Sequence, residues 1–421
     1  MIGKNSHKLK SILDEMKIST ATRKKDYENI KIETSLDSNN PIVVKGLSAI
    51  ILQGVKYRAS DIHIEPQRDK TRIRYRIDGI LHSENTLDIS LHPSLISRLK
   101  IISKLNITEH RMPQDGKFKF QIEDKTIDFR VSIVPLITGE KAVIRILNKD
   151  IVNFDLENIG FNQIEYKEIS KMINRKNGII LASGPTGSGK TSLIYSILKQ
   201  LNTSEVNIST VEDPVEYEIA GINQVQHSEK LDFSTILKSY LRQDPDILMI
   251  GEIRDRETAE IAIKSALTGH LVLSTIHTND AVSGIFRLLN IGIEPYMISA
   301  SVVGIIAQRL VRKLCPHCKT IDNTYRGKLA FLGEDPSSYS ENIFYTHVGC
   351  PKCNNSGYIG RVPLFQIFVF DENIKSMIDK RESIQKITAY ARENNMKDLI
   401  EKGIDKAING ITSLEEIIRE C

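Results

Sequence analysis

An α/β domain with a mainly parallel sheet, preceded by a smaller α+β domain, is the fold class that this 421-residue sequence predicts. Three observations predict it. Gly184 to Thr191 reads GPTGSGKT, a glycine-rich loop between the apolar run Gly178 to Ser183 and a stretch whose Leu193, Ile194, Ile197, Leu198 and Leu201 recur at helical spacing. Downstream, short apolar strands at 206–211, 247–251 and 271–276 alternate with helical patterns, as parallel sheets require. Upstream, between residues 60 and 147, the period is two, which suits half-buried antiparallel strands.

The chain is too long for one hydrophobic core. With 40% hydrophobic and 26% charged residues it belongs with globular proteins. A net charge of +4 over this length is too weak to argue for nucleic acid or anionic lipid as a partner, so no direct nucleic-acid binding is expected. MIGKNSHKLK at the start lacks the apolar core of a signal peptide, and the uncharged stretch Pro295 to Gln308 is shorter than a bilayer span. A cytoplasmic protein that meets a membrane only through partners is the expectation.

Taken in order, residues 1–40 form a polar arm with a short amphipathic pattern at Leu9, Ile12, Leu13 and Met16. Residues 41–147 are the α+β domain. Asn40-Pro41 opens a helix carrying Val43, Val44, Leu47, Ile50, Ile51 and Val55. SDIHIEP from Ser60 and the run Thr71 to Ile77 alternate apolar with polar residues, with a turn at Asp78-Gly79. One face is then core, and Arg72, Arg74 and Arg76 make the other basic, a solvated sheet face. A second helix is expected at 91–105, a loop RMPQDGKF at 111–118, and strands at 117–122, 126–134 and 141–147. Residues 148–162 read as a linker, 163–314 as the phosphate-loop domain, 315–356 as a cysteine module and 357–421 as a mainly helical region.

The glycine-rich loop carries the chemistry. Backbone N–H groups of Gly184, Pro185–Ser188 and Gly189 (Thr186 and Gly187 included) and of the helix start at Lys190, Thr191 and Ser192 surround phosphate oxygens; proline itself adds no donor. Lys190 brings charge to the β/γ-phosphates and Thr191 offers Mg²⁺ a hydroxyl. The ligand is a nucleoside triphosphate. An acid must then manage metal and water. ILMIGE delivers Glu252 at a strand end, with Gly251 where most such enzymes place an aspartate. TVEDPVEY adds Glu212, Asp213 and Glu216, read as metal-assisting carboxylates rather than loop solvation. GHLVLSTIHTND brackets a third strand with His270 and His277, either packing residues or sensors of the γ-phosphate.

Cys315 and Cys318, then Cys350 and Cys353, form two C-x-x-C pairs. Each puts two thiolates on one side of a turn, and two facing turns complete a tetrahedral, closed Zn²⁺ site; redox cysteines are the alternative. Cys421 is read as an idle thiol.

In this order, the phosphate loop, TVEDPVEY, LRQDPDILMIGEIRD and TGHLVLSTIHTND resemble the Walker A, Asp box, Walker B and His box of the secretion ATPase superfamily. The likeness is specifically to the assembly ATPases of type II secretion systems and type IV pili, and extends from about residue 41 onward. Gly251 is a habit of that family. The tetracysteine module belongs to its secretion and pilus-extension branch and is missing from retraction-type ATPases. The resemblance implies a PAS-like N-terminal domain, a RecA-like domain that binds and hydrolyses ATP, a homohexamer, and an inner-membrane platform protein as partner. It further implies that Arg130 in DFRVS and Arg145 in AVIRIL approach the γ-phosphate, and that Arg242, Arg287 and Arg361 occupy inter-domain positions. Family members usually carry a longer N-terminal domain that docks on the platform, and some bind cyclic di-GMP there. A DNA-uptake or conjugation motor, a nucleotide-gated scaffold with little turnover, and a nucleic-acid-binding zinc ribbon remain the alternative readings.

Overall fold

The computed structural model describes residues 41–122, 125–147, 155–228 and 230–421. The arm at 1–40, with its amphipathic pattern, and residues 148–154 of the linker lie outside the described residues. The chain divides into two compact units, 1–151 and 152–421.

In the first unit, helix α1 (Pro41–Lys56) begins on the proline that the sequence places at a first helical position. Six strands follow: β1 (Asp61–Pro66), β2 (Lys70–Ile77), β3 (Ile80–Asp88), β4 (Gln114–Ile122), β5 (Lys125–Leu136) and β6 (Gly139–Leu147). Helix α2 (His92–Ile102) separates β3 from β4. The sheet order is β3-β2-β1-β6-β5-β4, antiparallel throughout. Strand β3 is an addition to the sequence reading. Its ILHSENTLD lacks clean alternation, but Asp78 and Gly79, both with positive φ, close a hairpin that sets Ile80 opposite Ile77.

Alternation decides what each face does. Ile62, Ile64, Ile73, Tyr75, Val131, Ile133 and Ile144 turn to one side and join Leu47, Ile50 and Ile51 of α1 and Leu95, Ile96 and Leu99 of α2 in one core. The other side differs from a solvated basic face. Asp61, His63 and Glu65 of β1 are at most 8% exposed, covered by arginines of β2 and by β6. Glu65 contacts Arg72 at 2.9 Å, Arg74 at 2.7 Å and Lys141 at 3.1 Å. Burial pushes its carboxyl up, yet the bonds from Arg74, Lys141 and Arg72 outweigh that and hold it at about 2. The arginines bond their own sheet's acids.

The second unit is built on a seven-stranded sheet, ordered β15-β12-β7-β11-β10-β8-β9. Its strands are β7 (Gly178–Ser183), β8 (Ile208–Glu212), β9 (Asn223–Gln226), β10 (Ile247–Ile250), β11 (Leu271–Ile276), β12 (Val302–Leu314) and β15 (Tyr358–Val369). All neighbours are parallel except β12 and β15. Helices α3 (Gln163–Ile173), α4 (Lys190–Leu201), α5 (Phe233–Tyr240), α6 (Arg256–Leu267), α7 (Ser283–Asn290) and α8 (Pro295–Ser301) connect them. Asn162, the last residue of the expected linker, caps α3 in a reciprocal pair with Glu165.

Strands buried on both faces explain the continuous apolar runs. Ile179, Leu181, Leu248, Ile250, Val272 and Ile276 enter one core; Ile180, Ala182, Ile247, Met249, Leu271 and Leu273 enter the other. Uncharged Pro295 to Gln308 becomes α8 and the first half of β12, a covered strand. Among the described residues no helix is long and apolar enough to cross a membrane.

Beyond β12 the chain leaves the sheet for β13 (Lys319–Ile321), helix α9 (Tyr325–Phe331) and β14 (Tyr345–His347), the two strands pairing antiparallel. It returns as β15, which the helical reading of 357–421 does not separate. Helices α10 (Glu372–Asp379), α11 (Ile384–Glu393), α12 (Leu399–Ile408) and α13 (Leu414–Glu420) complete the fold. Leu329 and Phe344 of the cysteine segment share a small core with Ile404, Ala407, Leu414 and Ile417.

Candidate nucleotide site and tetracysteine centre

In a parallel sheet the loops after each strand emerge at the same edge, and ligands of such sheets bind there. Here the loop after β7 is GPTGSGKT, that after β10 carries Glu252, that after β11 carries His277, and that after β8 carries Asp213 to Glu216. Because the order is β7-β11-β10-β8, four segments scattered over a hundred residues become neighbours.

The phosphate loop wraps the end of β7 against β12. Gly184 and Gly189 both have positive φ, at 145° and 92°. A side chain at Gly184 would come within 2.6 Å of the Gln308 carbonyl oxygen, and one at Gly189 within 2.6 Å of Gln308 Nε2. Only glycine allows β12 to run so close. Gly189 then precedes α4, whose first residue is Lys190. The Lys190 ammonium donates to the carbonyls of Gly184 at 2.7 Å and Pro185 at 2.9 Å. Burial lowers it to about 8, opposed by Glu252 and helped by Arg309.

Glu252 is held by the sheet rather than by its own loop. Ser274 Oγ donates to the Ile250 carbonyl at 2.8 Å, Thr275 Oγ1 to that of Gly251 at 2.7 Å, and Ile253 N to that of Thr275 at 3.0 Å. These bonds extend the β10–β11 pairing past the strand end and fix the Gly251-Glu252 backbone beside β11. The Glu252 side chain is 16% exposed; Arg254 bonds one carboxylate oxygen, and His277 Nε2 lies 3.5 Å from the other. Burial and then the Lys190 charge keep His277 below its ordinary value, with Glu252 pulling the other way. A carboxylate, a histidine and a lysine thus occupy one edge.

Other candidates fall elsewhere. Glu212 is buried, and its carboxylate accepts from Tyr195 of α4, from Thr210 Oγ1 at 2.6 Å and from Gln224 Nε2 at 3.1 Å. It ties the phosphate-loop helix to β8. Glu216 is half-buried in the loop after β8. His270 precedes β11, at the end opposite His277; its Nδ1 lies 2.8 Å from the Ser265 carbonyl at the close of α6. The structure therefore separates the two histidines by the length of a strand, and His270 acts as a helix cap. In the first unit, Arg130 and Arg145 face each other across β5 and β6, and Arg145 Nε donates to Asp61 Oδ1 at 3.1 Å. Arg242 Nη1 donates to the Lys238 carbonyl, Arg287 lies on α7 and Arg361 on β15. Sequence reasoning missed Tyr195, Gln224, Gln308 and Arg309. The first two sit in ordinary helix and strand patterns. The last two lie in a stretch notable only for lacking charge until Arg309.

The four cysteines come together, with every pair of Sγ atoms within 4.8 Å. Cys315–Cys350 and Cys318–Cys353 are each 3.8 Å apart, and Cys350–Cys353 is 3.7 Å. A tetrahedral ion with ligand bonds of about 2.3 Å has edges of roughly 3.8 Å, so the residues present fit Zn²⁺. Backbone N–H groups of Cys350 and Gly357 point at Cys353 Sγ, both at 3.2 Å. Burial raises the Cys315 and Cys318 thiols, whereas at Cys353 these bonds outweigh burial and bring the thiol down to about 7, toward the thiolate a metal needs.

A family model described as "Type II/IV secretion system protein" matches residues 36–419. The chain belongs to that family. Among curated proteins, it is 43% identical over 414 residues to the "Type IV pilus assembly ATPase PilB" of Myxococcus xanthus, covering 97% of this chain and 73% of the relative. It is also 43% identical to the "Type II secretion system protein E" of Xanthomonas campestris, covering 93% and 69%. Among solved structures, the Legionella pneumophila ATPase DotB superposes with a TM-score of 0.65 at 21% identity, covering 89% of this chain and 94% of that one. The pilus retraction motor PilT with bound ADP gives 0.59 at 24%, covering 88% and 95%. Those two likenesses establish the α/β ATPase fold.

Proposed function

We propose that this chain is an ATP-hydrolysing motor that powers assembly of a type IV pilus or a type II secretion pseudopilus. The observation that carries the reading is the convergence of the phosphate loop, Glu252 and His277 on one edge of a parallel sheet, in a chain of the type II/IV secretion family. In this reading the second unit is RecA-like and the first PAS-like, the boundaries being 41–147, 163–314, 315–356 and 357–421. The active form is a homohexamer that drives an inner-membrane platform protein from the cytoplasmic side.

The residues divide the work by what they touch. Lys190 leaves its two loop carbonyls for the triphosphate, exchanging neutral acceptors for anionic ones. Glu252 accepts the proton of the attacking water, and His277 orients the same carboxylate from the neighbouring strand. Glu212 assists from β8 by fixing the helix that bears Lys190 through Tyr195, and Glu216 assists from the loop that follows. Arg130 and Arg145 supply charge to the phosphoryl group in transfer. Thr191 would hold Mg²⁺, which would supply positive charge at the phosphates. The four thiolates of Cys315, Cys318, Cys350 and Cys353 would hold Zn²⁺ as a structural ion.

The test replaces the chromosomal copy with a Lys190→Ala allele and examines surface fibres by electron microscopy beside the secreted proteins. Loss of fibres with an unchanged secretome assigns a pilus motor; secreted enzymes retained with fibres intact assign a secretion motor. Wild-type fibres and secretion together sink the proposal.

A further inference from the structure

Strand β12 passes the phosphate loop with Gln308 turned toward Gly189, while the next residue, Arg309, reaches two other segments. Arg309 is 6% exposed. Its Nε donates to the Glu420 carbonyl at 3.1 Å and its Nη2 to the Asn279 carbonyl at 3.0 Å, while Nη1 is buried with no hydrogen-bond partner. Its acceptors are neutral. A buried guanidinium bonded only to carbonyls, with one donor orphaned, costs more free energy than an aliphatic side chain of similar size at that place. Stability therefore does not account for it. A rigid planar fork does what an aliphatic chain cannot: it holds two backbone segments, 30 and 111 positions away in sequence, in one geometry.

The nearer segment matters for hydrolysis. Asn279 lies two residues past His277, whose ring meets Glu252. The same loop is held by Ser183 Oγ, which donates to the Asp280 carbonyl at 3.4 Å, and by Gln366 Oε1, which accepts from Ala281 N at 2.9 Å. Strands β7, β12 and β15 thus each contribute one anchor. Of the three, Arg309 is the anchor that also grips the end of α13.

We propose that Arg309 is a positioning residue for ATP hydrolysis, clamping the loop that bears His277 to the C-terminal helix so that α13 sets how His277 meets Glu252. This rests on the roles given to Glu252 and His277 above. Arg309 touches neither; it acts through the Asn279 carbonyl.

The experiment is a double-mutant cycle in the full chain with R309Q, R309K, H277A and R309Q/H277A, reading kcat, KM for ATP, and amide hydrogen exchange. R309Q is expected to lower kcat roughly ten- to a hundredfold, as a small misplacement near the reacting groups does, with KM changed less than about twofold. R309K recovers part of the loss, since an ammonium reaches one of the two carbonyls. R309Q/H277A matches H277A alone, and exchange at 277–281 quickens in R309Q while α4 keeps the wild-type rate. Additive losses in the double variant, or a slowed enzyme with unchanged exchange at 277–281, would overturn the clamp and leave the site reading standing. Wild-type kcat in H277A overturns the His277 assignment itself, and the clamp with it. If R309Q does not fold, R309K carries the same cycle.

Discussion

The two large sheets use their strands in opposite ways. The antiparallel sheet of the first unit packs one face on its helices, and its chemistry is spread over the other as rows of buried acids and half-buried arginines. The parallel sheet of the second unit has both faces covered, and its chemistry is confined to one edge. A face places charges about 5 Å apart across paired strands, close enough for neighbours to neutralise one another. An edge gathers loops whose groups are held by strand ends yet not consumed by pairing. That contrast predicts that substitutions at the edge disturb hydrolysis, whereas those of the paired acids on the face disturb folding.

The largest effect belongs to the edge. Glu252→Gln keeps the shape of the Arg254 and His277 contacts and removes the basic oxygen, so nucleotide binding persists while kcat falls by about a thousandfold or more. Steady-state kinetics beside binding of a fluorescent ADP analogue checks this, and wild-type turnover breaks the comparison. Next is the tetracysteine centre, at the end of the β12–β15 ladder. On the proposed zinc site, Cys318→Ser, or a strong chelator, is expected to abolish metal binding and to loosen 315–356 and α13 together, because Leu329 and Phe344 share a core with Leu414 and Ile417. Metal analysis and hydrogen exchange read both, and exchange confined to the cysteine turns contradicts the shared core.

The face yields a pH effect. Glu65 has its pKa depressed from 4.5 to about 2, so its contribution to stability is fully present above about pH 4.5 and is lost as pH falls through 2. The full loss is roughly 3 kcal/mol for the first unit. Glu65→Gln flattens that acid limb in urea titrations; an unchanged limb means the arginines owe nothing to Glu65. The smallest effect contrasts the two ends of β11. His270→Ala removes a helix-closing bond to Ser265 and costs about 1 kcal/mol of stability, with kcat unchanged. A loss of turnover there would put function at the wrong edge.

Much of this was legible because each sheet writes its burial into the sequence. DIHIEP and TRIRYRI alternate, so which residues share a face follows from period two, but not that the acids of DIHIEP are buried; GIILAS and ILMI do not alternate, so they belong inside. Glycine spacing singled out the loop after β7, and the C-x-x-C pairs singled out the four thiols that the fold brings together. What stayed hidden depends on distant partners. Nothing in its own segment tells Glu212 that Tyr195 and Gln224 will saturate its carboxylate, and the histidines of GHLVLSTIHTND look equivalent until strand direction puts His270 at the far end. Strand β15 was obscured for a similar reason, since its apolar run is read as part of the helices that follow until β12 is there to pair with it.

The route by which the chain leaves and rejoins the second sheet has a consequence of its own. Leu314 pairs with Tyr358, and Cys315 N donates to the Gly357 carbonyl at 2.9 Å, so the two ends of the cysteine segment are already joined by the ladder of β12 and β15. Topologically the whole module stands where a hairpin turn would stand. A short turn would close the same ladder in the same register, so the segment behaves as a cassette: it can be exchanged, enlarged or trimmed while the edge that carries the glycine-rich loop keeps its strand order and spacing.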